Sequence, residues 1–141
     1  MSISSKDVVI EIIKSNCRVE EELSQALKPY EISLQQFNVL RILRGQKGIA
    51  ANLSTVQERM VNRMSNTTRL IDKLIDKNYV KRTICEKNRR KIELFITKKG
   101  MKILEKIDVV VDKAELKITQ RLPPGDREKL VSLLKQTDTK K

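Results

Sequence analysis

Apolar residues recur at three- and four-residue steps from Ser5 to about Lys28, at Val9, Ile12, Val19, Leu23 and Ala26, with Asn16 in the missing step and Tyr30 in the next. That period predicts an amphipathic helix. Pro29 ends it, because the residue before a proline is pushed out of helical geometry. Ser33, with Gln36 three residues on, reads as a capping box opening a second helix whose buried side is Phe37, Leu40 and Leu43 and which closes near Gly45. The segment "GQKGIAA" reads as a loop. Ser54 or Thr55 is then expected to cap a short third helix, "TVQERM", with Val56 and Met60 on one face.

Ser65 is the expected cap of a fourth helix, "NTTRLIDKLIDK". At about 100° per residue, Thr67, Leu70, Ile71, Leu74 and Ile75 fall in one arc of roughly 140°. Ser65, Asn66, Thr68, Arg69, Asp72, Lys73 and Asp76 lie opposite. The first turn of that polar face carries hydroxyls, an amide and a guanidinium but no carboxylate, which suits bases and phosphates.

Asn78 is the expected stop. Beyond it, "YVKRTI" and "KIELFI" alternate with the period of a strand and offer Val80, Ile84, Ile92, Leu94 and Ile96 to a core. The polar loop "CEKNRRK" between them makes a β-hairpin with cations at its tip. Thr97 caps a long fifth helix with one stripe at Leu104, Ile107, Val111, Ala114 and Ile118, and a second at Ile103, Val110 and Leu116. One stripe can face the chain's own core. The second calls for another partner, of which a second copy of the chain is the commonest. "LPPGD" breaks this helix, and Leu130, Leu133 and Leu134 belong to a last short one before a frayed tail.

Charge sharpens the picture. The chain has 141 residues and a net charge of +12, with no histidine. Residues 61–102 hold 13 basic and 4 acidic side chains, so nine of the twelve net charges sit in less than a third of the length. A solubilising charge would be spread out, and this clustering marks a contact surface for a polyanion. The two cysteines, Cys17 and Cys85, stand in different contexts with no signal peptide or membrane-length apolar run, which points to a reduced cytoplasmic setting without membrane contact. No metal cluster, glycine-rich phosphate loop or nucleophile with a histidine base is present, so the expectation is a non-enzyme without cofactor or metal.

A short helix, a tight connection, a second helix with a polar outer face and a basic hairpin follow one another in the order of a winged helix-turn-helix. The run "TRLIDKLIDKNYVKR", followed by "NRRKIELFITKKG", resembles the MarR family of bacterial transcription regulators, and the flanking helices fit that layout over nearly the whole chain. The resemblance implies a mainly α fold with a small β-hairpin wing. It implies one domain over residues 1–141, with a winged helix-turn-helix lobe at about 33–100 and dimerisation helices at about 5–30 and 98–137. The first, fifth and sixth helices of a homodimer would interlock, and each subunit would present a recognition helix to the major groove of double-stranded DNA and a wing to the minor groove.

Carried over by position, the recognition-helix contacts are Ser65, Asn66, Thr68, Arg69 and Lys73, and the wing contacts are Lys87, Asn88, Arg89, Arg90 and Lys91, within a wing at residues 85–91. Relatives carry an Asp-x-Arg pattern in the wing. Here it reads Asn88, Arg89, Arg90, so Arg90 keeps the groove-entering position while the steadying acid is absent. Relatives also have glycine in the turn before the recognition helix, whereas this chain reads "MVNRMSN", with Asn62 expected to take a left-handed conformation in its place. Arg69 could contact a phosphate or pair with Asp72 on its own helix. Cys17 reads as a packing residue of the dimer rather than a redox sensor. A small aromatic effector would bind between the dimer helices and the lobe, with Tyr30 or Phe37 lining the site. The implied function is a ligand-responsive repressor on a pseudo-palindromic operator. An RNA- or ribosome-associated winged-helix protein, or a helical module docking on an acidic protein, would use the same basic face.

Overall fold

The computed structural model describes residues 2–140, within which Arg89 and Arg90 are described by their backbone alone. The elements run α1 (Ser5–Leu27), a 3₁₀ turn (Lys28–Tyr30), α2 (Leu34–Gly45), α3 (Leu53–Arg59), α4 (Thr67–Asp76), β1 (Val80–Cys85), β2 (Asn88–Ile96), α5 (Lys98–Thr119) and α6 (Pro124–Lys135). The fold is a winged helix-turn-helix, as the order of patterns predicts.

Start signals explain most helix boundaries. Ser33 Oγ accepts from the Gln36 amide while the Gln36 side chain accepts from the Ser33 amide, a reciprocal box that fixes the entry of α2. Ser4 and Asp7 form the same device on α1, and the Ser4 hydrogen bonds hold the Asp7 carboxyl below its ordinary pKa. The third helix corrects the expectation: Asn52, not Ser54 or Thr55, is the cap, and its Oδ1 accepts from the Thr55 amide and from both hydroxyls. An extended Asn52 presents its oxygen to the whole first turn, so the two hydroxyl residues become donors within the helix.

The core brings Leu27 of α1, Phe37, Val39, Leu40 and Leu43 of α2, and Val56 and Met60 of the α3 segment together with Ile71 and Leu74 of α4, Val80 and Leu94 of the hairpin, and Leu104, Ile107 and Val111 of α5. Of the predicted inner stripe of α5, Leu104, Ile107, Val111 and Ala114 are buried and Ile118 is half-buried, while Leu116 of the second stripe is exposed. Arg44 of α2 reaches both carboxylate oxygens of Asp108 on α5, at 2.5 and 3.4 Å, fastening the lobe to the long helix. The "GQKGIAA" loop contributes more than a connection, since Ala51 exchanges two backbone hydrogen bonds with Leu94, at 3.2 and 2.7 Å.

One end of the molecule keeps its apolar residues outside. Val9 and Ile12, assigned to the inner face of α1 by periodicity, are exposed, as are Ile3, Val8, Ile10 and Ile13. Among the described residues α6 buries none of its side chains. Leu130, Leu133 and Leu134 of α6 instead share with Ile3, Val8 and Ile12 the walls of an open, largely apolar groove of about 960 Å³. Among the described residues, no helix is long and apolar enough to cross a membrane.

A single joint connects α4, the hairpin and α5. Asn78 ends α4 in a left-handed conformation, φ 64°, as expected of a stop. The Thr97 amide donates to the Tyr79 carbonyl at 3.0 Å and the Thr97 hydroxyl donates to the Asn78 carbonyl at 2.7 Å, while Thr97 Oγ1 accepts from the Gly100 amide. Gly100 is buried here because a Cβ on it would lie 2.3 Å from the Tyr79 carbonyl oxygen and 2.8 Å from Ile96 Cγ1. In an ordinary helix interior, glycine to alanine stabilises by about 1 kcal/mol. At this site the sign reverses: Gly100→Ala is expected to lower stability by roughly 2 kcal/mol through backbone overlap, seen as a lower urea midpoint at unchanged m-value.

Candidate nucleic-acid interface

The polar face of α4 begins one residue later than its sequence suggests. Asn66, rather than Ser65, is the cap: its Oδ1 accepts from the Arg69 amide at 3.2 Å. Ser65 lies in the preceding turn with a buried Oγ that has no hydrogen-bond partner among the described residues. Thr67, Ile71 and Leu74 are buried, Leu70 and Ile75 are half-buried, and Asn66, Thr68, Arg69, Asp72, Lys73 and Asp76 are exposed. The segregation of faces therefore matches the pattern. The Asn66 side chain, a candidate base reader, spends its acceptor on the cap and keeps its amide donors.

The turn into α4 closes without left-handed geometry. Among the described residues, the non-glycine positions with positive φ are Glu31, Lys47 and Asn78, so Asn62 does not substitute for a glycine. It supplies acceptors instead, its Oδ1 to the Met64 amide and its carbonyl to the Ser65 amide. The Val61 amide donates to Asn38 Oδ1 of α2 at 2.8 Å, which ties the turn to the body of the lobe. Nothing in the sequence pattern singled out Asn38.

Arg69 does not pair with Asp72. That carboxylate faces Arg82 of β1 at 3.7 Å, so the ion pair joins α4 to the hairpin and the Arg69 guanidinium stays clear of it. Arg69 and Lys73 lie along a cleft of about 710 Å³ between α4 and the start of α2, with Ser33, Gln35, Asn62 and Asn66 on its walls. At its far end the Lys77 ammonium donates to the Glu31 carbonyl.

The hairpin differs most from expectation. The loop expected at residues 85–91 shrinks to a turn at Glu86 and Lys87, and β2 starts at Asn88. Register is regular from Val80↔Ile96 to Ile84↔Ile92, and the next pair is Cys85↔Asn88. Arg89, Arg90 and Lys91 thus occupy β2 with no partner positions on β1. This bulge places the backbone of residues 89–91 in a strand rather than in a slack loop. The side chains of Arg89 and Arg90 lie outside the described residues; Lys87, Asn88 and Lys91 are exposed. Ile84 and Ile92, expected in the core, are 66% and 42% exposed, because the hairpin continues past the core that Val80 and Leu94 enter.

A second concavity, of about 280 Å³, lies between α1, α2, α5 and the turn before α4. Phe37, 5% exposed, lines it, and the Arg41 guanidinium sits 5.3 Å from the centre of the Phe37 ring. Val61 and Asn62 of the turn before α4 also line it. Tyr30 is half-buried against the core and does not line this concavity. Cys17 is exposed on α1 and Cys85 is half-buried. Among the described residues no group of histidine, cysteine or acidic side chains could hold a metal ion.

The model of the MarR family matches residues 32–92. The HTH-type transcriptional regulator PrsX of Escherichia coli is 27% identical over 95 residues, which are 67% of this chain and 57% of that protein, so the chain spans little more than half of that relative. Two solved structures are similar in fold. Bordetella bronchiseptica BpsR, whose DNA binding is regulated by 6-hydroxynicotinic acid, gives a TM-score of 0.84 at 21% identity over 96% of each chain. A mutant MarR from Escherichia coli complexed with operator DNA gives 0.81 at 23% identity over 92% of this chain and 91% of that one.

The cap assignment yields a paired prediction. Asn66→Ala should cost about 1 kcal/mol of stability, as loss of a helix cap does, whereas Ser65→Ala should leave stability unchanged or raise it, because it removes a buried hydroxyl without a partner. Thermal melts of the two variants against the parent chain measure both.

Proposed function

From the match of residues 32–92 to the MarR family model and a fold shared with solved MarR structures over most of the chain, we propose that it is a sequence-specific double-stranded DNA-binding transcription regulator. It acts as a homodimer on a pseudo-palindromic operator, in the bacterial cytoplasm, as a repressor released by a small ligand. One observation carries the reading: a helix with an acid-free polar first turn stands beside a hairpin whose β2 bulge carries three cationic residues, in the segment holding most of the net charge. Thr68, Arg69 and the Asn66 amide donors read base edges in the major groove, and Lys73 holds a phosphate at the cleft beside α2. Lys87, Asn88, Arg89, Arg90 and Lys91 bring the wing to the minor groove and supply affinity by releasing counterions.

The exposed apolar rows on α1 and α6 support dimerisation, since contiguous apolar surface of this kind marks a buried contact in the working assembly. A two-fold axis then sets half-sites about 34 Å apart, one turn of duplex. Residues 1–141 work as one unit, with the lobe at about 33–100 and the helices at about 5–30 and 98–137 as its dimerisation parts. The crevice beside Phe37 suits a small aromatic acid, with the ring against Phe37 and the carboxylate toward Arg41. A ligand there would touch Val61 and Asn62, and it shifts DNA affinity only if it binds one lobe position more tightly than the other.

A mobility-shift assay on duplex fragments selected from the source genome tests the reading. Arg89→Glu with Arg90→Glu should abolish retention, and duplex RNA should compete poorly. Retention unaffected by the double reversal, or a monomer at micromolar concentration in sedimentation, would overturn it. Asn88→Asp adds one negative charge to the wing, so it should flatten the slope of log affinity against log salt by about one; an unchanged or steeper slope counts against wing contact at this position.

A further inference from the structure

The hairpin carries apolar surface that the charge argument does not use. Ile84 and Ile92 are directly paired across the two strands, so both side chains project from the same face of the sheet. It is also the face on which Val80 and Leu94 enter the core and Arg82 meets Asp72. At 66% and 42% exposure, the two isoleucines form the last regular rung before the Arg89, Arg90 and Lys91 bulge. A protein gains no stability by holding a branched apolar pair in water at the end of an arm, and such surface rimmed by polar groups marks a contact. The rim here is net cationic: Lys87 and Lys91 are exposed at the tip beside Glu86, and Arg82 on the same face is paired with Asp72. An anionic partner with an apolar component fits both features, and the deoxyribose walls of the minor groove provide phosphates outside and hydrocarbon between them.

We propose that Ile84 and Ile92 form an apolar rung that packs on the sugar wall of the minor groove and supplies a salt-independent share of the wing's DNA affinity. This rests on the DNA-binding reading above. The cations position the hairpin over the groove, and the rung makes contact only once they have done so. Because burying apolar area displaces no counterion, its contribution persists at high salt, where the phosphate contribution fades.

The test uses a duplex retained by the parent protein and measures affinity across a salt series for Ile84→Thr, Ile92→Thr and the double variant. Threonine keeps the β-branched shape that suits a strand, and at exposed positions the urea midpoint should stay at the parent value. Each single variant should bind roughly three- to fivefold more weakly and the double variant about tenfold or more, as expected for loss of one or two buried hydrocarbon groups. The salt slope should match the parent. Affinities equal to the parent, or a loss confined to low salt with a changed slope, would overturn the proposal while leaving DNA binding intact. Failure of the parent chain to retain any duplex would overturn both readings, which separates the two failures.

Discussion

The joint at Thr97 is the constraint on which the rest of the architecture depends. Its amide and hydroxyl take the carbonyls of Tyr79 and Asn78, where α4 has just ended and β1 is about to begin, while its Oγ1 receives the Gly100 amide at the start of α5. Three elements with different tasks share one set of hydrogen bonds. The close approach exists only because residue 100 has no side chain. The polar helix, the arm beside it and the long helix therefore take their relative placement from one joint.

That geometry separates two kinds of surface. The lobe turns outward a cationic edge with few carboxylates, and one of these, Asp72, faces Arg82. At the opposite end, α1 and α6 turn outward an apolar groove. A charged partner and an apolar partner can thus be accommodated at once without competing for residues, and the crevice beside Phe37 is lined in part by the turn that leads into α4.

Much of this was legible in the chain because local physics determines it. The Ser33 and Gln36 box, the Asn78 stop, the Thr97 cap and the segregated faces of α4 each depend on a few neighbouring residues, and periodicity finds them. What the pattern misread depended on context. Asn52 and Asn66 won their caps from adjacent hydroxyl residues because backbone conformation, unseen in composition, decided which oxygen faced the first turn. Ile84 and Ile92 have the alternation of core residues, yet alternation gives a face and not the distance at which the core ends. The bulge at 89–91 depends on pairing across the hairpin, and no local signal records it.

The Arg44 and Asp108 fork is only half-shielded from water, so dissolved ions weaken its grip as they weaken any accessible pair. Brine therefore loosens the clasp between the lobe and the long helix at the same time as it masks the lobe's cationic edge. A titration with electrolyte consequently weakens this clasp and the edge's pull on a polyanion together, so the two responses share a single axis.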